Sequence, residues 1–288
     1  MTNGEKVIRG IFFLCAAFAT VMLFLIAVFV FLEGFKGFTH LTFLGRVFFP
    51  SNSEYGVLPL LVSSFLIVGG ALILSLVLAL PTAIFIAEVV PFEVRETLKS
   101  IVELLAAIPS VIYGFIGLVF FAPLVADLLH LTAGTVVFTA SLILGIMILP
   151  TMVSLSTEAL LAIPDKYREA SLALGASEWQ TVSKIILPAA KNGIFASIIL
   201  AFGRAIGETI AVLLTSGVVG SLPSFPFFNQ PAFPLTAAIA RFMGETVIGG
   251  ELYHVLFGLA TILFVITFVI NTIADHMFTT FSKKYKEE

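Results

Sequence analysis

The chain has 288 residues, of which 59% are hydrophobic and only 11% charged, with a formal net charge of -3 and a mean hydropathy of +1.11. Soluble domains carry about 25% charged residues, so this composition excludes an ordinary soluble protein and predicts an all-α membrane protein. The single cysteine excludes a disulfide framework, and the four scattered histidines predict no metal site. The sequence has no G-x-x-x-x-G-K-[ST] loop, so we expect this chain to bind no ATP in that way.

Long apolar runs predict six transmembrane helices, because about 20 apolar residues cross a hydrocarbon layer of about 30 Å. The predicted spans cover residues 11–32, 57–87, 104–126, a run that ends near Thr157, 192–214 and 252–274. The first run is too long for the apolar part of a signal peptide, so we expect it to remain in the protein.

The pattern predicts one membrane unit in three parts. Residues 1–56 hold the first span and an external loop, residues 57–280 form the main transmembrane domain, and residues 281–288 form a tail. Of the 15 lysines and arginines, eleven lie on the side of the two termini, three lie on the other side, and Arg204 lies inside a span. The positive-inside rule therefore predicts a multi-pass protein of the cytoplasmic membrane with both termini and the tail in the cytoplasm.

The longest polar segment, residues 158–188, is predicted to form a cytoplasmic hairpin of two short helices. Gly175 suits the left-handed position after a helix end, and Ser177 with Gln180 forms a capping box. Pro188 is expected to end the second helix, because proline has no backbone N–H. An apolar stripe follows both helices, and we expect it to require a protein partner. Its members are Tyr167, Ala170, Ser171, Leu174, Trp179, Val182 and Ile186.

This hairpin resembles the EAA motif of permease subunits in ABC importers. Glu169-Ala170, Gly175 and Leu187-Pro188 stand at the motif spacing, while Ser171 occupies the position where a second alanine is common. In that family the hairpin fits a groove on a cytoplasmic ATPase subunit. The resemblance therefore implies a coupling role for Glu169, Ala170, Gly175, Trp179, Leu187 and Pro188. The alternative is an amphipathic hairpin that lies on the membrane surface without a partner.

Two other segments are similar to the permeases of phosphate importers. They are I-P-S-V-I-Y-G at residues 108–114 and G-R-A-I-G-E-T at residues 203–209, and the following I-A-V is closer to PstC-type than to PstA-type subunits. The similarity extends over residues 57–274, approximately, and implies the type I ABC importer permease fold. It also implies transport of phosphate rather than catalysis by this chain.

The same resemblance implies a set of partners. These are a PstA-like second permease, two PstB-like ATPase subunits and a PstS-like extracytoplasmic phosphate-binding protein, all embedded in or next to membrane lipid. ATP and magnesium would be bound by the ATPase subunits, so we expect no cofactor and no nucleic acid on this chain. Two alternatives are a permease for another oxyanion (sulfate, molybdate or tungstate) and a stand-alone channel or ion-coupled carrier.

Arg204 is the candidate for substrate contact that physical reasoning singles out. It lies 13 residues after Lys191, which is about 20 Å along a helix, near the middle of the membrane or somewhat beyond. An arginine at the centre of a span costs roughly 2.5–3.5 kcal/mol, so its side chain must face protein or water. We expect Glu208 one turn further along, on the same face of the fifth span.

Three interpretations of Arg204 and Glu208 remain open. They could form a structural ion pair, make a contact between two permease subunits, or bind an anion on the translocation path. For the third, the guanidinium offers a rigid fork of donors to a tetrahedral oxyanion. Glu208 could then accept the proton of hydrogen phosphate, which sulfate lacks.

Polar groups near Pro109 give weaker candidates for the translocation path. Pro109 is expected to interrupt the third span and to leave the Leu105 carbonyl without its usual donor. Ser110 and Tyr113 bring hydroxyl groups there and are candidate path-lining residues, whereas the alternative is a proline kink with no contact to substrate.

Gly203 and Gly207 form a G-x-x-x-G pattern in the fifth span. We predict that they serve helix packing, as Pro109 does, with substrate contact as the alternative for the glycines.

The external loop at residues 216–250 is rich in proline and phenylalanine. Phe225, Phe227, Phe228 and Phe233 could form a docking surface for a binding protein, or they could fold against the membrane domain of this chain.

Overall fold

The computed structural model describes the backbone of residues 3–286 and the side chains of residues 8–273 and of His276. The described chain consists of helices and connecting loops, with one short ribbon that pairs β1 (Phe48–Phe49) with β2 (Glu54–Tyr55). The helices are α1 (Asn3–Gly37), α2 (Leu58–Ile84), α3 (Phe92–Ala106), α4 (Ser110–Ile116), α5 (Ala122–Leu129), α6 (Val137–Leu161), α7 (Asp165–Ala173), α8 (Glu178–Thr181), α9 (Leu187–Ile206), α10 (Ile210–Thr215), α11 (Leu235–Met243) and α12 (Glu251–Lys286). The π-helical turns are Phe85–Val89, Gly117–Phe121 and Val182–Ile186.

Six helical segments of the described chain are long and apolar enough to cross a membrane. They are Ile8–Gly37, Leu58–Val89, Ser110–Leu129, Val137–Leu161, Glu178–Ile206 and Glu251–Ile273. The predicted all-α class and the predicted number of spans are therefore confirmed. Of the predicted tail, residues 281–286 continue α12, and residues 287–288 lie outside the described part.

The centre of the fold is the contact between α2 and α6, with α9 packed beside them. The hydroxyl of Ser141 donates to the Ile67 carbonyl at 3.1 Å, and a Cβ on Gly145 would lie 3.0 Å from the Ala71 carbonyl oxygen. Lipid provides little hydrophobic driving force between helices, so small residues that allow close packing stabilise such contacts. This packing makes α6 the span with the largest buried share.

The predicted start of the third span at residue 104 is wrong. α3 is a separate amphipathic helix with no fully buried residue, and the span itself begins at Ser110. Pro109 stands between the two helices in an extended conformation, with φ -58° and ψ 139°. The predicted interruption at Pro109 is therefore present, as a boundary between two helices, and the alternative of a kink within one helix is wrong. Proline disfavours a continuous helix because its nitrogen carries no hydrogen, and here α3 ends before Pro109 and α4 begins after it.

The predicted bounds of the fifth span are wrong at both ends. Pro188 does not end the second hairpin helix, because Glu178–Ile206 is one helical segment. The N–H of Leu187 bonds to the carbonyl of Val182, five residues earlier, and this wide π turn makes room for the proline. The hairpin is thus continuous with the span. At the other end α9 stops at Ile206, and residues 207–209 separate it from α10.

The segments that we predicted to be external fold into an apolar cap over the ends of α2 and α12. Phe48 is its centre: its N–H bonds to the Gly220 carbonyl at 2.7 Å, and its ring contacts Phe233 and Phe242. The interpretation in which the phenylalanine-rich loop folds against this chain holds for part of the loop, and the docking interpretation stays a prediction. Phe233 is buried in the cap, whereas Phe225 is 84% exposed.

α1 packs mainly along α12 and is otherwise exposed. The two helices approach closely at Gly34, where an added Cβ would lie 2.8 Å from the Phe257 carbonyl oxygen and would also contact Thr261 Oγ1. Thr261 donates to the Val30 carbonyl at 3.2 Å. The seam between α1 and α12 therefore depends on the absence of a side chain at Gly34.

We expect Gly34→Ala to lower the thermal unfolding temperature of the purified protein, because the new methyl group must push α1 away from the Phe257 carbonyl. Overpacking of this kind costs about 1–3 kcal/mol, more than the about 1 kcal/mol that alanine gains over glycine in a helix. Gly10→Ala on the same helix is the control, since its Cβ would meet nothing within 4 Å. An equal or higher unfolding temperature for Gly34→Ala than for Gly10→Ala would contradict this account.

Candidate functional site

The two helix breaks, at residues 107–109 and 207–209, lie side by side. α4 packs against α10 so closely that a Cβ on Gly114 would lie 2.9 Å from the Cα of Ala211. The structure therefore brings together the two sequence segments that we identified separately, residues 108–114 and residues 203–209.

Side chains satisfy the backbone at both breaks. The hydroxyl of Tyr113 donates to the Leu105 carbonyl at 2.8 Å, and Thr236 Oγ1 donates to the Glu208 carbonyl at 2.7 Å. Tyr113 is buried and Ser110 is the partly exposed first residue of α4. Tyr113 thus has a structural hydrogen bond, while its contact with substrate and that of Ser110 remain predictions.

Arg204 lies in the last turn of α9, and its side chain is exposed on the surface of this chain. Its Nη1 donates to Thr151 Oγ1 of α6 at 2.6 Å. Within the part of the chain that the structure describes, no carboxylate lies within ion-pair distance of Arg204. No described carboxylate therefore offsets the charge of the guanidinium, and most of its five N–H donors remain available.

We predicted Glu208 on the same helical face as Arg204, and this prediction is wrong. Glu208 lies in the break after α9. Its Oε1 is 3.5 Å from the N–H of Ala211 at the start of α10. The structural ion pair between these residues does not form in this chain. The interpretations as a contact between subunits and as an anion site both remain predictions.

The two glycines of the fifth span have different surroundings. Gly203 lies directly against the side-chain oxygen of Asn271 in α12, which would have to move if Gly203 carried a side chain. Gly207 is exposed, and a Cβ on it would approach only carbonyl groups of its own turn, the nearest at 3.7 Å from Arg204. Within this chain, the geometry fits the predicted helix packing at Gly203 better than at Gly207.

The hairpin has the local geometry predicted from its sequence. Gly175 adopts φ +82°, where a residue with a side chain is strained, although open space surrounds it. The capping box is present: Ser177 N donates to Gln180 Oε1 at 2.9 Å, and Gln180 N donates to Ser177 Oγ at 3.2 Å. Glu169, Ala170 and Pro188 are exposed on the hairpin, and Leu187 is half-buried.

The predicted apolar stripe is only partly free. Ser171, Val182 and Ile186 are buried within this chain, which corrects our expectation that the whole stripe needs a partner. Leu174 and Trp179 are 90% and 67% exposed. Between the two arms lies an open groove of about 590 Å³. Its lining residues are Lys166, Tyr167, Ala170, Ser171, Leu174, Ala176 and Ile185.

Arg168, which sequence reasoning missed, joins the hairpin to the spans. Its guanidinium makes a bidentate pair with Glu88, with Nη2 to Oε1 at 2.7 Å and Nε to Oε2 at 3.1 Å. It also donates to the carbonyls of Ile163 and Leu160 and to Asp165 at 2.7, 3.2 and 3.2 Å, so all five N–H groups have partners. The hydrogen bonds to Glu88 are the main reason that the pKa of Arg168 is raised above its usual value.

One sequence signal could have identified this pair. Glu88 follows a charge-free apolar run directly, and Arg168 immediately precedes the Glu169-Ala170 dipeptide. A carboxylate at the end of a span needs a cation, and the adjacent polar hairpin provides one.

Comparisons with known proteins define the family. Residues 79–287 match the model of the family described as binding-protein-dependent transport system inner membrane component. The chain belongs to this family. The permease is also 36% identical over 219 residues to the probable ABC transporter permease protein YqgH of Bacillus subtilis, covering 76% of this chain and 70% of that protein.

Several relatives carry the name phosphate transport system permease protein PstC. The permease is 33% identical over 261 residues to the PstC of Mesorhizobium japonicum, covering 84% of this chain and 78% of the relative. It is 30% identical over 266 residues to the PstC of Haemophilus influenzae, covering 86% and 83% of the two chains.

The fold is similar to that of a solved ABC transporter in an inward-facing conformation. A chain of the methionine transporter MetNI aligns with a TM-score of 0.57 at 20% identity, covering 78% of the permease and 94% of that chain. This similarity confirms the predicted type I importer permease fold.

We expect Glu88→Gln to destabilise the permease more than Asp165→Asn does, although both remove a carboxylate bonded to Arg168. The Glu88 side chain is 7% exposed and that of Asp165 is 86% exposed. Leaving a buried charge without its partner costs about 3–5 kcal/mol, whereas an exposed ion pair contributes about 0–1 kcal/mol. Thermal unfolding of the two variants in detergent measures the difference, and equal unfolding temperatures would exclude a special role of the Glu88 pair.

Proposed function

We propose that this chain is a permease subunit of an ATP-driven ABC importer that carries inorganic phosphate across the cytoplasmic membrane. Relatives at 30–33% identity over more than four fifths of the chain are named phosphate transport permeases, which supports the substrate. The observation that carries the proposal is Arg204, a cation in a membrane-spanning helix with no carboxylate partner among the described residues.

Arg204 suits an oxyanion better than it suits a structural role. A cation within a span is unfavourable unless water, an anion or protein groups compensate it. Its one hydrogen-bonded side chain, Thr151, is neutral and leaves the charge in place. A phosphate on the path would supply the missing negative charge. Its oxygens would accept hydrogen bonds from several of the free N–H groups of Arg204.

The hairpin would couple this chain to the energy source. Leu174, Trp179 and the groove between the arms present an apolar surface on the hairpin, which suits a protein partner. We infer that two PstB-like ATPase subunits bind ATP and magnesium and move this hairpin. Glu169, Ala170, Gly175, Leu187 and Pro188 would shape the contact.

The remaining partners complete the importer. A PstA-like permease would form the other half of the path, and a PstS-like protein would deliver phosphate from outside. The excess of lysine and arginine on one side supports cytoplasmic termini and hairpin. Neither a cofactor nor a nucleic acid is needed on this chain, and it would perform no covalent chemistry.

The decisive experiment is uptake of radiolabelled phosphate by vesicles that contain the complete complex. We expect uptake to depend on ATP, and Arg204→Gln to lower its maximal rate at least about tenfold, since a lost charged hydrogen bond is worth about 1.5–3 kcal/mol. Arg241→Gln is the control, because Arg241 is exposed and pairs with Glu245 in the external loop.

Each rival function predicts a different result in this experiment. Uptake of sulfate, molybdate or tungstate in place of phosphate would assign another oxyanion. Uptake without an ATPase, or no ATPase that co-purifies with the permease, would favour a stand-alone channel or carrier and refute the importer.

Glu208 supplies a second test, which concerns selectivity. We expect Glu208→Gln to lower phosphate uptake and to weaken discrimination against sulfate, because the carboxylate accepts the proton of hydrogen phosphate and repels an anion that has none. Uptake is measured with and without excess sulfate, and Glu245→Gln, an exposed carboxylate of the external loop, is the control. Unchanged uptake together with unchanged discrimination removes Glu208 from the site.

A further inference from the structure

Thr151 departs from the usual behaviour of threonine in the helices of this chain. Several helical threonines donate their hydroxyl to the carbonyl four residues earlier in the same helix. They are Thr82, Thr215, Thr267 and Thr272, with distances of 2.7, 2.7, 2.9 and 2.7 Å. The hydrogen bond that the described structure gives to Thr151 is instead between helices, from Arg204 at 2.6 Å.

We propose that Thr151 is a positioning residue that holds the Arg204 guanidinium toward the transported anion. This inference rests on the proposed function, because it assumes that Arg204 meets phosphate. An arginine side chain has several rotatable bonds and loses about 2 kcal/mol of rotamer entropy when it is fixed. A hydrogen bond that fixes it beforehand makes the N–H donors ready for the anion.

The acceptor, Thr151 Oγ1, is neutral, so it can orient the Arg204 guanidinium without cancelling its charge. A carboxylate at the same place would orient the guanidinium equally well, but it would cancel the charge that attracts the anion. A hydroxyl oxygen accepts one N–H and leaves the net charge at +1. Threonine therefore suits a site that must release its anion and bind it again.

The location of Thr151 also suits this role. It is a half-buried residue of α6, directly before the fully buried Met152 and Val153. Its β-branched side chain has restricted χ1 freedom in a helix. Arg204, by contrast, is in the last turn before a helix break, where its own helix gives little support. The central helix of the fold thus fixes a side chain that α9 alone would leave free.

The test uses vesicles with the complete complex and compares three variants. Thr151→Val keeps the shape but removes the acceptor, Thr151→Ser keeps the acceptor, and Thr157→Val is the control. Thr157 is in the same helix, and its hydroxyl is buried without a hydrogen-bond partner, so valine there removes no bond. We expect Thr151→Val to lower the maximal phosphate uptake about tenfold, with Thr151→Ser and Thr157→Val near the unmodified rate.

A double variant separates positioning from ordinary packing. If Thr151 acts through Arg204, adding Thr151→Val to Arg204→Lys lowers uptake by less than about twofold, because coupled residues are not additive. If Thr151→Val causes the same tenfold loss in the unmodified complex and in the Arg204→Lys variant, Thr151 acts independently of Arg204, and the inference is overturned. A loss in Thr151→Ser equal to that in Thr151→Val would also overturn it.

The remaining outcomes are also decisive. ATPase activity stimulated by the binding protein should persist in Thr151→Val, since the hairpin is unchanged; its loss would indicate a folding defect and refute positioning. If valine prevents assembly, Thr151→Ala replaces it, with Thr157→Ala as control. Absence of phosphate uptake by the unmodified complex refutes the proposed function itself, whereas normal uptake in both Thr151→Val and the unmodified complex refutes only this inference.

Discussion

Backbone hydrogen bonding at the ends of the membrane spans is the constraint on which this structure depends. A helix break next to a span exposes carbonyl and N–H groups that lipid cannot satisfy. This chain has two breaks next to each other, and side chains from other turns satisfy them: Tyr113 donates to Leu105, and Thr236 donates to Glu208. Placing both breaks in one contact confines the irregular backbone to a single region, which is also where Arg204 lies.

One continuous helical segment connects that region with the hairpin. Glu178–Ile206 has 29 residues, or about 44 Å at 1.5 Å per residue, and includes the second hairpin arm at one end and Arg204 at the other. The π turn before Pro188 allows this continuity. A displacement of the hairpin can therefore reach Arg204 as movement of a single rod rather than through a chain of loop contacts. Arg168 adds a second connection, because it ties the first arm to the turn that ends the second span.

Regular features of this fold could be predicted from sequence, whereas the form that each helix interruption takes could not. Apolar runs predicted six spans, and local rules predicted Gly175 and the capping box, since each depends on a few adjacent residues. Pro188 and Pro109 illustrate the limit. The same rule predicted a helix end at Pro188 and an interruption within the third span at Pro109. Pro188 instead continues its helix through a π turn, and Pro109 stands between two separate helices, before the span begins. Which solution a proline adopts depends on packing partners that are distant in sequence.

The two arginines of the hairpin and the fifth span show how contacts distinguish a structural cation from one that is free to act. Arg168 has all five N–H groups bonded, two of them to a nearly buried carboxylate, and can bind nothing further without breaking the hairpin. Arg204 has one neutral partner and an exposed surface. In the sequence alone, both arginines are charged residues beside apolar runs. The difference lies in their partners: Glu88 is 80 positions from Arg168, and Thr151 is 53 positions from Arg204. Arg168, whose N–H groups are all bonded, is thus suited to transmit force. Arg204, most of whose N–H groups are free, is suited to meet an anion.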